Sequence, residues 1–422
     1  MQAVELSPVR EADRTQPPLD LFLIFAGANI VATTLQVGAS LVPAFGLREA
    51  LGLIVLGSLA GAALVAALAP LGPRLGAPSI VACRAALGWR GASLVALLLY
   101  VTNFAWIAVN NVIAASACAR VLGGPASERA WAFGLGILAA VIVAGGPHAV
   151  GLADRVAVPT LLFVGVLLTI ACLRVPAAVP GAPGEGGITA PRGLDVVIGY
   201  QVSWILMFAD YSRYTRSVSK GAAAVFLGLG LTSLWFIPLG FLAARAAGSG
   251  EPGAMLGAVG LGAWGAVLLT LGTLTTNFVN IYLSALAWKS LFSRATDRVT
   301  VWTIGLVGAA LSLLRGWLDR YADFMLLLGG LLVPVGGILI AHFFIVRRPT
   351  NVPDLYDELG TTMRHRGFSI PGLAAWIAGS AVYFAAGAIG GTLPSLVAAV
   401  LVYLLVLRLV GHPANVGPAP GT

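Results

Sequence analysis

The sequence predicts an all-α polytopic membrane protein of twelve transmembrane helices, built as a 5+5 inverted repeat with two additional C-terminal helices. Three observations predict it. Of the 422 residues, 58% are hydrophobic and 10% charged, with a mean hydropathy of +0.92, more apolar surface than a soluble domain of this length uses. Apolar runs of about 20 residues, the length that spans a bilayer core as helix, recur along the whole chain with short polar connections. Finally, a Pro/Gly-rich stretch, "VPAAVPGAPGEGGITAPRG", follows the fifth run and cannot be helix. It leaves five spans on one side and spans six to ten on the other, and an odd number of spans per half forces the halves into opposite orientations.

Residues 1–19 form a cytoplasmic tail. They mix Arg10, Glu11, Asp13 and Arg14 with three prolines and lack the apolar region of a cleavable signal, so the first helix serves as its own insertion signal. The ten-helix core occupies 20–346. Span one, 20–44, holds "GANIVATTLQVGAS", with Asn29, Thr33, Thr34 and Gln36 where hydrophobicity alone would place leucine. In an inverted repeat the first span of each half is the interrupted one, and the carbonyls an unwound turn exposes must be buried in protein or line a cavity. Spans two to five cover 50–70, 94–118, 129–146 and 155–173. On span three, Asn103, Trp106 and Asn110 fall at i, i+3 and i+7, one helical face. Span six, 193–209, carries Tyr200, Gln201 and Ser203 inside the bilayer, with no glycine at the expected break. Spans seven to ten cover 221–245, 264–288, 299–315 and 321–346, and span eight bears a second polar stripe of Thr273, Thr276, Asn277 and Asn280. A cytoplasmic loop, 347–369, leads to transmembrane helices eleven and twelve within 370–410 (370–389 and 393–410), and 411–422 is a C-terminal tail.

The formal charge of +8 is distributed by side: 17 Lys and Arg flank the face that carries both termini and 8 the other. Positive-inside logic puts both termini in the cytoplasm of a multi-pass protein of the cell membrane. Basicity therefore reads as topology, and nucleic acid is set aside as a partner. Cys83, Cys118 and Cys172 are scattered without CxxC spacing, which indicates small packing residues rather than a disulfide framework or metal cluster.

No Asp, Glu, Lys or Arg is expected in the interior of spans one, three, six and eight, with Asp20 and Asp210 at helix ends near water. An intramembrane carboxylate would signal a proton relay or a cationic substrate; its absence favours a neutral solute. His342 is the one titratable group well inside a late span. An intramembrane enzyme would need carboxylates, a His cluster or a nucleophile beside a base, and no such group occurs together. Any single Thr or Asn here can serve as interhelical glue, each bond worth about 0.6 kcal/mol, and Asn280 is read that way. Taken together, the stripes fit a flat, neutral, hydrogen-bonding molecule. Trp106 supplies a stacking face, the amides of Asn103, Gln201 and Asn277 offer donor and acceptor, and Thr275 and Thr276 with free carbonyls suit sodium, a hard cation.

The motifs "GANI", "RAALGWRG" at 84–91, "TNFAW" at 102–106, "SWILMFADYSRY" at 203–214, "TTNFVNIY" at 275–282 and "VPVGGILIAHFFIVRR" at 333–348, in this order and spacing, carry a resemblance over nearly the whole chain. The chain resembles the nucleobase:cation symporter-1 family, with LeuT-type architecture, and within it the bacterial cytosine permeases and the hydroxymethylpyrimidine transporters. The resemblance implies a sodium site from carbonyls of Gly27, Ile30 and Gly272 with the hydroxyls of Thr275 and Thr276. It also implies a nucleobase stacked on Trp106 and bonded by Asn277 and by span six at Tyr200, Gln201, Ser203 and Trp204, with Val31 and Ala32 lining the break in span one. Asn103 stands where cytosine permeases carry Gln, and Tyr200 and Gln201 where they carry serine and phenylalanine. The expectation is a secondary transporter, not an enzyme, importing a pyrimidine-like nucleobase with sodium by alternating access and needing no obligatory protein partner. Hydroxymethylpyrimidine, uracil, a hydantoin or a purine are alternative cargoes, and proton coupling through His342 is the alternative to sodium.

Overall fold

Hydrocarbon offers no partner to a bare backbone polar group, so a chain this apolar must close its hydrogen bonds within helices. The computed structural model does so, with helices throughout and no strand among the described residues, which are 6–123, 127–174, 188–292, 295–347, 349–357 and 367–410. Most of the Pro/Gly-rich seam, much of the expected 347–369 loop and the 411–422 tail lie outside them.

Helix α1 (Pro18–Asn29) starts with Pro18 at its first position, where the missing N–H costs nothing. It ends at Asn29; Ile30 (φ −84°, ψ 69°) and Val31 (φ −142°, ψ 168°) are non-helical, the latter fully extended. α2 (Ala32–Ala39) resumes at 56° to α1, so span one is broken at the β-branched Ile30–Val31 pair, a residue type that favours extended backbone. α3 (Leu47–Leu68) and a short α4 (Leu71–Leu75) lead into α5 (Ser79–Leu122), which bends at Gly88 (φ 77°). α6 (Glu128–Ala144) and α7 (Gly146–Arg174) complete the first half.

Span six begins as α8 (Ala190–Val202) and then tightens into 3-10 turns at Ile205–Met207 and Ser212–Tyr214. Trp204 donates its N–H to the Gln201 carbonyl at 3.2 Å and Met207 to Trp204 at 2.9 Å, an i to i−3 pattern. Trp204 (φ −81°, ψ −5°) and Tyr211 (φ −103°, ψ −40°) stay in the right-handed region. A break made this way never visits positive φ, which is why it needs no glycine.

The second half continues with α9 (Val218–Ala247), a short α10 (Pro252–Ala258), α11 (Gly262–Leu291), α12 (Asp297–Leu311) and α13 (Tyr321–Ile340), the last running into a π-helical turn over Ala341–Val346. α14 (Ile370–Ala386) and α15 (Thr392–Leu409) pack on each other and on α13. Among the described residues eight helices are long and apolar enough to cross a membrane, and the bent pair α1–α2 makes nine. α6, α8 and α12, with 17, 13 and 15 residues, are shorter than these, so a count of twelve rests on reading those three as spans.

Packing separates two helix groups. α1, α2, α3, α8 and α9 form one, while α5, α6, α11 and α12 form the other, with α5 and α11 the most extensively packed pair. Spans one, two, six and seven are thus together, as are three, four, eight and nine, the grouping that pairs each helix with its mate in the other half. α2 and α9 approach so closely that a Cβ on Gly38 would collide with the Ile237 carbonyl, and one on Gly240 with that of Leu35.

Two charged positions differ from expectation. Asp195, within span six, is buried; its carboxylate accepts the N–H groups of Gly391 at 2.5 Å and Thr392 at 3.1 Å. A carboxylate is stable there because the N-terminus of α15 presents unpaired donors and a positive dipole end. Asp210 is buried too, not at the water, beside Ser79 and Arg213.

Candidate substrate and ion site

The two interrupted spans meet α5 and α11 at a buried slot of about 30 Å³, room for a water or two. α5 contributes Asn103 and Trp106, the α8 end Tyr200, Ser203, Trp204 and Met207, α2 Thr33, and α11 Thr276 and Asn280. No side chain among these carries a formal charge. Trp106 meets Tyr200, Tyr321 and Phe324 edge-on, with centroids 6.1, 6.5 and 5.1 Å away, so among the described residues no protein ring stacks parallel on the indole. Asn103 Nδ2 and Asn280 Nδ2 are buried without a hydrogen-bond partner. Buried donors are ordinarily satisfied, and two unpaired ones around one slot favour a ligand edge rich in acceptors.

The residues expected from sequence divide into those that line the slot and those that do not. Asn103, Trp106, Tyr200, Ser203 and Trp204 line it. Gln201 instead faces α9, donating Nε2 to Ser233 Oγ at 2.6 Å. Asn277 is fully buried against α5: its Nδ2 donates to Asn111 Oδ1 at 2.9 Å, and its Oδ1 accepts from Asn110 Nδ2 at 3.2 Å. Asn280, read as glue, is the α11 amide that lines the slot. The exchange follows from α11 being buried on almost every side, so that two amides about 60° apart around the axis both meet protein and polarity alone does not say which meets the cavity. Val31 and Ala32 lie at the break, with Thr33 next to them the residue that reaches the slot.

Three of the proposed ion ligands, Gly272, Thr275 and Thr276, lie together on α11 beside the break. Gly272 sits against it, an added Cβ there lying 3.5 Å from the Ala32 nitrogen and 3.6 Å from the Val31 Cα. Thr276 and Thr275 hydroxyls both donate to the Gly272 carbonyl, at 2.7 and 3.1 Å, which leaves their oxygen lone pairs free to accept a cation. At the end of α1, Ala26 receives the Ile30 N–H at 3.1 Å; Gly27 and Ala28 lie in the last turn, where carbonyls lose intrahelical donors. Gly27 and Thr275 line one second, apolar cavity of about 440 Å³ between α1, α7, the α8 end and α11. All-oxygen, uncharged ligands suit a hard monovalent ion, and the described residues contain no His/Cys/Asp/Glu cluster that would hold a transition metal.

Sequence reasoning assigned no role to Asn29, Tyr321 or Met207. Tyr321 donates its hydroxyl to the Thr33 carbonyl at 2.8 Å, tying α13 to the break. Met207, with Trp204 and Val279, lines both cavities and forms the partition between them.

Interrupted helices meeting at a buried polar slot between two helix groups are the construction of a membrane transporter. The family described as permease for cytosine/purines, uracil, thiamine, allantoin matches residues 8–406. The chain belongs to this family of permeases, the nucleobase:cation symporter-1 transporters, which are not enzymes. It is 26% identical over 361 residues to a cytosine permease of Escherichia coli, covering 82% of this chain and 80% of that one. It is also 26% identical over 369 residues to a Bacillus subtilis protein named as a purine-cytosine permease, covering 81% and 79%. In fold it is similar to Mhp1, a nucleobase-cation-symport-1 family transporter solved in a closed conformation with bromovinylhydantoin bound. The TM-score is 0.81 at 21% identity, over 98% of this chain and 97% of that one. The inward-facing conformation of Mhp1 gives 0.83 at 23% identity, over 96% and 93%.

Proposed function

We propose that the protein is a sodium-coupled importer of a neutral, planar pyrimidine-like nucleobase, cytosine being the reference compound. The observation that carries this is the adjacency of an uncharged slot, with the Trp106 ring and the unpaired N–H groups of Asn103 and Asn280, to the oxygen cluster of Gly272, Thr275 and Thr276. The base stacks on Trp106 and turns its carbonyl and ring-nitrogen acceptors to the amides. Sodium joins the carbonyls of Gly27, Ile30 and Gly272 to the two threonine hydroxyls and so links the broken span to α11. The family description and the relatives' names support a nucleobase or related heterocycle as cargo. Hydroxymethylpyrimidine, uracil, hydantoins and purines present similar acceptor edges and remain alternative cargoes.

Both termini lie in the cytoplasm, residues 20–346 form the transport core, and spans eleven and twelve are an appendage. Alternating access moves the α1–α2–α3–α8–α9 group against the α5–α6–α11–α12 group. A ligand shifts such an equilibrium only through differential affinity for its states, and the slot must widen before a base fits. Sodium is favoured over protons because His342 bonds Tyr403 at 2.7 Å through Nδ1, and neither it nor the buried carboxylates Asp195 and Asp210 line either cavity. The test is a thermal-shift panel of nucleobases and related heterocycles on detergent-purified protein, in sodium or in choline. Stabilisation by cytosine that grows with sodium is the expected result; stabilisation by no heterocycle rejects the reading, and equal stabilisation in both salts rejects the coupling.

A further inference from the structure

Asn29, the last residue of α1, is fully buried and makes five hydrogen-bond contacts. Its Nδ2 faces three acceptors on α9: Ser233 Oγ at 2.7 Å, Thr232 Oγ1 at 2.8 Å and the Leu229 carbonyl at 3.1 Å. Its Oδ1 accepts the Tyr200 hydroxyl at 2.9 Å, and its main-chain carbonyl accepts the Thr34 hydroxyl at 2.5 Å. Thr34 and Tyr200 oxygens are themselves 2.6 Å apart. Ser233 completes the circuit by also accepting from Gln201, so the ends of both interrupted helices are pinned to one point on α9.

Two features make this more than glue. First, its position: Asn29 lies between Gly27 and Ile30, the proposed carbonyl ligands of the ion, while Tyr200 lines the slot with its ring against the edge of Trp106. Second, its protons: three short contacts among Asn29, Thr34 and Tyr200 share two hydroxyl protons, so one acceptor is always left over. Which one it is depends on where the end of α1 sits relative to α8. In a buried, low-dielectric network each such bond counts for more than it would in water, so a change in which one is made is felt at Tyr200.

We infer that Asn29, with Thr34 and the hydroxyl of Tyr200, is the positioning element that transmits ion occupancy at the α1 break to the wall of the substrate slot. This rests on the sodium-coupled reading above. Sodium draws the last-turn carbonyls of α1 toward α11; Asn29 moves with them about its anchor on α9, and the Tyr200 ring follows through its hydroxyl. None of the three needs to touch the ion or the base through this network.

The experiment measures equilibrium binding of cytosine to the purified full-length protein in sodium and in choline, for the wild type, Thr34→Val, Thr34→Ser and Tyr200→Phe, with the thermal midpoint of each. The wild type is expected to bind at least about fivefold tighter in sodium, the lower range of site-to-site coupling. Thr34→Val and Tyr200→Phe are expected to bring that ratio toward one, and Thr34→Ser, which restores the hydroxyl, to recover it. Asn111→Ala, in the α5–α11 clasp, is expected to lower the midpoint while keeping the ratio, as a purely structural change does. A wild-type ratio of one overturns the coupling reading and this inference with it. A wild-type ratio above five that Thr34→Val and Tyr200→Phe both retain within about twofold overturns the inference alone.

Discussion

At the scale of single residues, the proposed binding of a base turns on which amide faces the slot. Asn277 and Asn280 are the same side chain on the same helix, yet one clasps α5 through Asn110 and Asn111 and the other presents an unpaired Nδ2 to the cavity. Asn280→Ala removes the proposed donor to the base and is expected to weaken cytosine binding roughly fivefold, about 1 kcal/mol, with little change in thermal midpoint. Asn277→Ala is expected to do the reverse, lowering the midpoint because it leaves buried amides unpaired; a titration of both variants decides between them. Thr276→Ala deletes one hydroxyl from the oxygen cluster. It is expected to raise the sodium concentration for half-maximal stabilisation by roughly tenfold, equivalent to about 1.4 kcal/mol.

At the scale of elements, the attachments between helices are as specific as the site. Asp195 on α8 caps α15, a charge-assisted tie between the core and the C-terminal helix pair. Asp195→Ala is expected to cost about 1–3 kcal/mol, an uncapped and partly buried helix end, read as a lower midpoint; an unchanged midpoint would show that α14–α15 is held by packing alone. The N-terminal segment is similarly tied. Val9 N–H meets the Gly76 carbonyl at 2.9 Å, Gln16 N–H that of Tyr214 at 2.9 Å, and the Tyr356 hydroxyl donates to the Leu6 carbonyl at 2.7 Å. Burial pushes the Tyr356 phenol up to about 12, so its contribution is whole below about pH 10, the ordinary tyrosine value, and is lost as pH rises toward 12. No loss of this contact is expected across the physiological range, which a pH series of thermal midpoints on wild type and Tyr356→Phe checks.

At the scale of the whole molecule, the proposed alternating access moves the two helix groups as bodies. Trp204, Met207 and Val279 form the partition between the slot and the 440 Å³ cavity. In proteoliposomes, an inward sodium gradient is expected to drive cytosine accumulation, and collapsing the gradient to abolish it; uptake that persists without sodium would reject symport. A cysteine introduced at Ser7 is expected to react with a membrane-impermeant maleimide only from the cytoplasmic side, and reaction from outside would invert the proposed topology.

Much of the architecture was legible in the residue order because a bilayer leaves so few solutions. Apolar length identifies spans, and the run Gly27, Asn29, Thr33, Thr34 announced a break that the Ile30–Val31 pair realises. The family resemblance rests on short motifs and agrees with the 26% identity to a cytosine permease and a purine-cytosine permease, and the grouping of helices follows the repeat. The break in span six had no glycine to mark it, since 3-10 tightening stays within ordinary φ. Asp195 was passed over because its cap partner, α15, lies 196 residues away in the chain. The roles of Asn277, Asn280, Gln201 and Asn29 needed three dimensions. Each is a polar residue on a helix surrounded by protein, and helical periodicity gives the direction a side chain points without saying what stands there to meet it.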